Sequence, residues 1–442
     1  QHPTMEQGAT PSPPWQWHCL PQQQQQQQQL CRLGSLSLCA GDTPAHRVEV
    51  TTPALVVPTR KGAVPCVAQD LWERLAHAHG HHMVLSAPLE DVLLQCLPDP
   101  MHPLPVVVTA ITAQSPVLEG SEAGFSVGKT GHKVIVEQLA REEKFQGTLC
   151  SAQAILAAPA EVPGAWTTKT RTRRAVDRTV RWNKAFAHFG GLVSFSGIHS
   201  PQFLQQACRE LSSIPAQGYM LSGLGIGETR SQCLTAIQTV KESIPSSAMV
   251  YFPCATTPDM MLDLVAAGCD LIETYQPFRL STEGLLCTFP TDFSSEELEI
   301  LCQGGTSSEV NELLNEQLPP PKLNLRDCAF ARDKSSVCSG APVAGKHSKA
   351  YLHHLFNTTE MLGNTLLAIA NLHVYLSFMD SVRRHLAEGT FDAFHDAFRR
   401  YWRHWSSSRH WEPQVTVSYT KPTNAGEDGP QEASSSTATP TT

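Results

Sequence analysis

Between residues 190 and 279 the chain alternates without interruption between short apolar runs and amphipathic segments of helical period. "GGLVSFSGI" reads as a strand, and "SPQFLQQACRELSS" as a helix opened by Ser200 at the N-cap and Pro201 at the first helical position. "GYMLSGL", "AMVYFPC" and "DLIETY" are further strands. They are separated by the helix "ETRSQCLTAIQTVKES" and by "TPDMMLDLVAAG", which repeats the Thr257–Pro258 start and stops at Gly268. Strands this apolar, each followed by a helix, belong to parallel sheets with crossover helices, because only such sheets bury both faces. Earlier in the chain "ALVVP" (54–58) and "PVVVTAI" (105–111) extend the strand pattern. "AQDLWERLAHAHG" and "TGHKVIVEQLAREE" read as helices.

An open doubly wound sheet and a closed (β/α)8 barrel both satisfy this pattern. No GxGxxG fingerprint follows the first strands, which disfavours the dinucleotide-binding version. A folded part of roughly 370 residues holds a barrel of about 250 with insertions. The expected class is therefore α/β, a TIM (β/α)8 barrel with C-terminal helices. Two tails frame it. Residues 1–45, rich in Gln and Pro and carrying the glutamine run from Gln22 to Gln29, and residues 413–442 are expected to be disordered, leaving 46–412 as the folded unit.

Composition bounds the function. The net charge of −8 requires any RNA-binding surface to be a local cluster of basic residues. Fourteen cysteines are scattered rather than arrayed as a disulfide framework. Several, such as Cys208, Cys233 and Cys269, fall in apolar runs, as expected of buried thiols in a reducing compartment. No apolar run reaches the ~18–20 residues of a transmembrane span, so no transmembrane segment is expected.

In a parallel barrel, chemistry sits where strands end. That rule selects Ser196–Gly197, "SGLGIGE" (222–228), Pro253–Cys254 and "ETYQPFR" (273–279), with Glu228, Glu273 and Arg279 as the charged groups. The plainer alternative is a set of ordinary βα turns that use glycine for positive φ. A second feature is "CSGAPVAGKHSKAYLHHLF" (338–356), which begins like a metal site and then supplies few ligands.

Several of these segments resemble the tRNA-guanine transglycosylase family. "GYMLSGLGIGET" is similar to its guanine-binding strand and loop, and "TTPDMMLDLVAAGCDLIETYQPFR" to the segment bearing its nucleophile. "HSKAYLHHLF" with "LGNTLLAIANLHVYLSFM" resembles the helices after its zinc loop, "RTRRAVDRTVRW" the helix before the central strands, and "FDAFHDAFRRYW" its C-terminal helix. The likeness runs from about 48 to 405 and is strong from 168 onward. It implies a TIM barrel with a zinc subdomain inserted near its end, and base exchange in tRNA through a covalent aspartyl–ribose bond.

Carried over residue by residue, the resemblance implies a degenerate site. The nucleophile position falls on Glu273 where active members carry Asp; the added methylene moves the attacking oxygen by ~1 Å, a misplacement that costs ~10²-fold. The "DSGG" acid/base segment is absent, with Asp91 a poor substitute, and the paired glutamines that read guanine fall near Phe195 and Ser196. Gly223, Leu224 and Glu228 remain of the base pocket. The family's four zinc ligands fall on Ser339, Ala341, Ala344 and Ala370, which implies a former zinc subdomain over 324–378 and no zinc cofactor. A rearranged site from Cys328, Cys338, His347, His353, His354 and His373 is the alternative, and without zinc the 324–348 loop is expected to be loose or held by a partner.

One branch of the family combines this frame with Glu at the nucleophile position. These are the non-catalytic subunits that pair, as heterodimers, with a catalytic homologue to place queuine at the wobble position of GUN-anticodon tRNAs, in the cytoplasm and at the mitochondrial outer surface. "RTRRAVDRT" and "DLIETYQPFRLSTEGLLCTF" are similar to that branch. The expectation is thus a catalytic partner and tRNA, with pentosyltransferase activity residing in the partner. The rivals are an active transglycosylase using Glu273 and a stand-alone tRNA-binding module. Arg171, Arg173, Arg174, Arg178 and Arg279 are the expected RNA contacts, against the simpler reading of a solvated helix face with Val176 and Val180 inward and of Arg279 paired with a local acid such as Glu273. The aromatic and basic residues of "FHDAFRRYWRHW" fit RNA binding or, more simply, packing on the barrel.

Overall fold

A computed structural model describes residues 15–20, 30–39, 47–80, 82–94, 104–112, 118–127, 132–151, 154–163, 167–197, 200–224 and 228–407. The expectation for 413–442, like Gly225 and Gly227 of the glycine loop, lies outside these residues. In chain order the strands are β1 (Trp15–Cys19), β2 (Gly34–Cys39), β3 (Arg47–Thr52), β4 (Ala54–Pro58), β5 (Met83–Pro88), β6 (Val106–Thr109), β7 (Gly124–Val127), β8 (His132–Ile135), β9 (Ala154–Leu156), β10 (Val193–Phe195), β11 (Gly218–Leu221), β12 (Met249–Phe252), β13 (Leu271–Glu273), β14 (Leu285–Cys287) and β15 (Lys322–Asn324). The helices are α1 (Gln69–Ala78), α2 (Leu89–Leu93), α3 (Val136–Arg141), α4 (Glu143–Ser151), α5 (Lys169–Phe186), α6 (Pro201–Leu211), α7 (Arg230–Lys241), α8 (Pro258–Ala266), α9 (Gln276–Glu283), α10 (Ser295–Glu299), α11 (Ser307–Glu312), α12 (Lys349–Asn357), α13 (Met361–Glu388) and α14 (Phe391–Ser407).

Eight strands pair in parallel in the order β10-β11-β12-β13-β4-β5-β6-β9. The two ends of this curled sheet meet: Leu192 N–H donates to Leu156 O at 2.8 Å, Ala158 N–H donates to Leu192 O at 2.9 Å, and Ala157 bridges Leu192 in parallel. The sheet therefore closes on itself as the expected TIM-like barrel. Its strands are buried on both faces, as β4, β11 and β12 are at every position. The helices cover the outside with one apolar stripe each. α6 buries Phe203, Leu204, Ala207, Cys208 and Leu211 against the sheet, at about 1.5–3 kcal/mol for each large side chain.

Helix starts are where the periodicity puts them, but the caps differ in detail. Ser200 and Thr257 occupy N-cap positions ahead of their prolines without a side-chain cap bond. Thr229, by contrast, forms a full capping box with Gln232. The segment "TGHKVIVEQLAREE" is not one helix. His132–Ile135 pairs antiparallel with β7, Val134 opposite Phe125, and the helix begins only at Val136. The β-branched run Val134–Ile135–Val136 explains this, since it fits a pleated surface better than a helix turn.

The N-terminal segment corrects the expectation of a structureless 1–45. β1, β2 and β3 form an antiparallel three-stranded sheet. Trp15 and Trp17 are buried while Gln16 and His18 face out, a period-two signal hidden inside a polar, Gln-rich composition. This sheet covers the barrel's N-terminal floor. Trp15 Nε1 donates to Gly190 O at 3.1 Å, and Arg32 reaches Asp270 with Nε at 3.1 Å and Nη2 at 2.9 Å, with Nη2 also on Ala248 O. The Trp17 ring stacks on the same guanidinium at 4.5 Å.

After β13 the chain forms α9, the β14–β15 hairpin and the helices α12–α14. α13 is long and apolar enough to cross a bilayer, contrary to the expectation that no such segment exists. Yet 67% of its most apolar stretch is buried inside the protein, with Leu366, Ile369, Phe378 and Val382 in the core. It is the central helix of the C-terminal layer.

Candidate functional site

The C-terminal ends of β12 and β13 bring together the groups that matter most. Glu273 is the last residue of β13 and is 0% exposed. The Tyr251 hydroxyl, from β12, donates to Glu273 Oε2. Burial pushes the Tyr251 phenol well up, and the neighbouring carboxylate adds to the rise, so Tyr251 stays protonated as a donor. Burial and the same carboxylate also raise the Cys254 thiol, which points at Thr112 O at 3.9 Å and is no nucleophile. The backbone around Glu273 is fixed: its carbonyl accepts from Ala255 N–H at 2.9 Å, and Thr274 Oγ1 donates to Ala255 O at 2.8 Å. A carboxylate that attacks ribose must reach it; this one is sealed beneath its own neighbours.

The described part of the turn that the resemblance assigns to base binding is equally filled. Gly223 has φ +86°, which explains the glycine, and a Cβ there would stand 3.0 Å from Val162 Cγ1, so Val162 occupies the space in front of it. Leu224 is buried and Glu228 half-buried at the start of α7. The charges of Glu273 and Glu228 both act on Cys254, which places the two acids around one mouth. Phe195 packs on Tyr219 with centroids 5.8 Å apart, and Ser196 Oγ bonds Thr179 Oγ1 at 3.0 Å. Neither presents an amide to a base edge. Thr109 Oγ1 meets Met220 Sδ at 3.4 Å, filling the β6 side.

The other residues singled out by the sequence fall apart spatially. Asp91 is buried and accepts from Lys61 N–H at 2.6 Å; it braces the turn after β4. Arg279 lies along α9, where the local acid 3.6 Å from it is Glu283. On α5, Val176 and Val180 are inward as expected, but so is Arg178. Its guanidinium donates to both oxygens of the fully buried Glu161, at 3.0 and 2.7 Å, and to Glu122 and Gly120 O. Arg171 approaches Glu161 and Glu119 at 3.5 and 3.6 Å. Arg178 is thus not available to phosphate, because a buried acid on a different element claims it. That acid, in "AEVPG", gives no sequence signal of its own. Arg173 and Arg174 remain on the exposed face.

At the family's zinc positions Ser339 is exposed, while Ala341, Ala344 and Ala370 are buried methyl groups. Alanine carries no donor atom, so these residues do not fit a zinc ion. Nor does the alternative set converge. His353 Nδ1 bonds Leu325 O at 2.9 Å, His347 stacks on Tyr351, and His373 faces His79 at 2.9 Å with Asp380 behind it at 3.0 Å. Burial, aided by His79, lowers His373 to about 4. Burial raises the Cys338 thiol to about 11. Among the described residues no group of three or more His, Cys, Asp or Glu side chains could hold a metal ion.

The loop is nevertheless not loose, against expectation. Val337 N–H donates to His347 O at 2.9 Å, Ser336 Oγ to Gly345 O at 2.8 Å, and Gly345 N–H to Ala341 O at 3.0 Å. Hydrogen bonds across the loop do what four metal bonds would do elsewhere. Chelator treatment should therefore leave the melting temperature of the purified chain unchanged within about 1 °C; a drop of several degrees would reveal a structural metal.

The fold is a parallel α/β barrel with a glycine turn at Gly223 and a buried carboxylate, Glu273, at its strand ends. The sequence profile of the queuine tRNA-ribosyltransferase family matches residues 135–404, and the chain belongs to the tRNA-guanine transglycosylase family. It is 30% identical over 230 residues to a queuine tRNA-ribosyltransferase of Thermotoga petrophila, covering 50% of this chain and 53% of the relative, so the match spans about half the length of those bacterial proteins. It is 24% identical to queuine tRNA-ribosyltransferase accessory subunit 2 of Pongo abelii and of Homo sapiens, covering 80% of this chain and 93% of each relative.

A replacement at the carboxylate separates the two roles it could have. Glu273→Gln keeps an acceptor for Tyr251 and, if the carboxylate has no chemical role, should leave any base exchange measured with this chain present within about twofold. Loss of two orders of magnitude or more, with the complex intact, would make Glu273 a working nucleophile.

Proposed function

We propose that this chain is a non-catalytic accessory subunit of queuine tRNA-ribosyltransferase. It pairs with a catalytic homologue that exchanges guanine for queuine at the wobble position of GUN-anticodon tRNAs. The observation that carries this reading is the state of Glu273: fully buried, held by Tyr251, and without amide readers at Phe195 and Ser196. Relatives named as accessory subunit 2, matched along 93% of their length, support it.

Pairing has a suitable surface at the start of α13, where Met361 and Leu362 are 83% and 43% exposed, apolar groups that a partner would cover. No resident metal enters this reading, since three of the four positions the resemblance assigns to zinc are alanines. Cytoplasm, including the mitochondrial outer surface, is the proposed location, in keeping with eleven free thiols among the described residues and the buried, raised cysteines Cys31, Cys208, Cys233 and Cys269.

The decisive measurement is incorporation of labelled queuine or guanine into a GUN-anticodon tRNA. It is run with this chain, with the catalytic subunit of the same organism, and with both. Activity confined to the mixture is expected. Exchange by this chain alone would overturn the proposal, as would full activity of the other subunit alone with no gain on mixing.

A further inference from the structure

The turn that follows β4 is exposed and yet tightly built. Arg60 N–H donates to Ala63 O at 2.8 Å and Ala63 N–H to Arg60 O at 3.2 Å, closing a two-residue hairpin. Its central residues, Lys61 and Gly62, have φ of +50° and +77°. Two positive φ values define a primed hairpin turn, which suits glycine at the second place and strains a lysine at the first. Asp91 holds that conformation from below. Its buried carboxylate accepts Lys61 N–H at 2.6 Å, and the Gly62 amide also bonds it. On the β4 side, Thr59 N–H and Oγ1 both donate to Ser86 O, at 2.7 and 2.8 Å.

This frame presents two cations. Arg60 and Lys61 are exposed, and neither has an ion pair among the described residues. Asp91 feels the charge of Arg60 but spends its carboxylate on the turn amides. The turn stands at the C-terminal end of β4, whose neighbour is β13, with Val56 opposite Glu273. It therefore belongs to the rim where a parallel barrel meets its ligands. Val64 and Val67, just beyond the turn, are buried, so this rim offers cations without the apolar centre of a protein interface. Tyr275 is half-buried and near enough for the Arg60 guanidinium to act on its phenol, which sets an aromatic ring beside the charge. Cations next to a ring suit a nucleotide chain.

Cations on a backbone already ordered lose less entropy on binding than the same groups on a loose loop. We propose that the 60–63 turn is a phosphate contact for the tRNA bound by the complex, with Asp91 as its positioning residue. This rests on the tRNA reading above. It moves the RNA contact away from α5, where Arg171 and Arg178 are engaged by Glu161, Glu119 and Glu122.

The test uses the complex of this chain with its catalytic subunit and measures tRNA affinity at several salt concentrations. Arg60→Glu and Lys61→Glu should each weaken binding by ~3–10-fold and lower the salt slope by about 1, and the double variant should lose more. Arg209→Glu, exposed on α6, is the control and should stay within about twofold. Asp91→Ala gives the sharpest reading, because two effects of opposite sign compete. Removing an acid near a phosphate site strengthens binding if charge alone matters, whereas loss of the brace weakens it. A loss of ~3-fold or more is expected, in a variant whose melting temperature stays above that of the assay. Tighter binding would overturn the positioning role.

Wild-type affinity in the Arg60→Glu, Lys61→Glu double variant, in a complex that binds tRNA, would overturn this inference and leave the accessory role standing. Loss of subunit pairing in that variant, with RNA affinity of the remaining complex unchanged, would make the turn a protein-docking site and overturn it too. A wild-type complex that binds tRNA no better than the catalytic subunit alone would take this chain off the RNA surface and overturn the inference without touching the pairing.

Discussion

Arg178→Met should destabilise the chain by about 3–5 kcal/mol, the cost of leaving a buried carboxylate without its partner. Glu161 has no exposed surface, and Arg178 supplies its two short hydrogen bonds. What remains after the change is Arg171 at 3.5 Å and half-buried, too distant to replace them. Removing both charges should restore most of the loss, because methionine at 161 and 178 replaces a desolvated pair with apolar packing. Denaturant unfolding of the two single variants and the double variant measures the coupling. If Arg178 were instead an RNA contact, the single change would lower tRNA affinity and leave the unfolding midpoint in place. That outcome would return α5 to the RNA surface.

Gly191→Ala is the second large effect. A Cβ at 191 would stand 1.9 Å from Leu156 O, a backbone atom that cannot step aside. That oxygen also accepts the bond that closes the barrel, from Leu192 N–H. Alanine there forces β9 and β10 apart and strands two seam hydrogen bonds in a dry environment, at about 1–3 kcal/mol for each group left unpaired, so roughly 2–6 kcal/mol in all. Amide exchange should rise selectively at 156–158 and 192–194. Gly147→Ala on α4, with open space at the Cβ position, serves as the control and should be neutral or stabilising by up to about 1 kcal/mol. Unchanged exchange at the seam in Gly191→Ala would mean the barrel is not closed by these two strands.

The reach of the sequence follows from which interactions are local. Alternation of apolar runs and helices, with Pro201, Pro258 and Gly268 as punctuation, suffices to place β10 through β13 and the helices between them, because those signals are within a few residues of what they control. The match of Glu273 to a strand end is legible for the same reason. What is not legible depends on segments far apart in the chain. Arg178 looks like its basic neighbours until Glu161, from the far side of a loop, is placed beside it. Gly191 reads as the second glycine opening a strand, although its lack of a side chain is required by a carbonyl 35 residues earlier. The 338–348 loop is held largely by bonds between backbone groups, such as Val337 N–H to His347 O and Gly345 N–H to Ala341 O, which leave no mark on residue identity. β1 and β2 were masked by the glutamine run between them, whose composition outweighs two tryptophans at a spacing of two.

The sheet on the barrel floor also bears on the order in which the chain can be completed during synthesis. Arg32 emerges from the ribosome long before Asp270, the acid it grips, and Trp15 before the Gly190 carbonyl it bonds. These strands must therefore wait, with two large aromatic faces uncovered, until most of the barrel has been translated. A flanking stretch of glutamine and proline is a sensible companion for such a segment, since it keeps the waiting chain solvated. The part of the sequence that looks most dispensable is then the part whose timing the fold must manage.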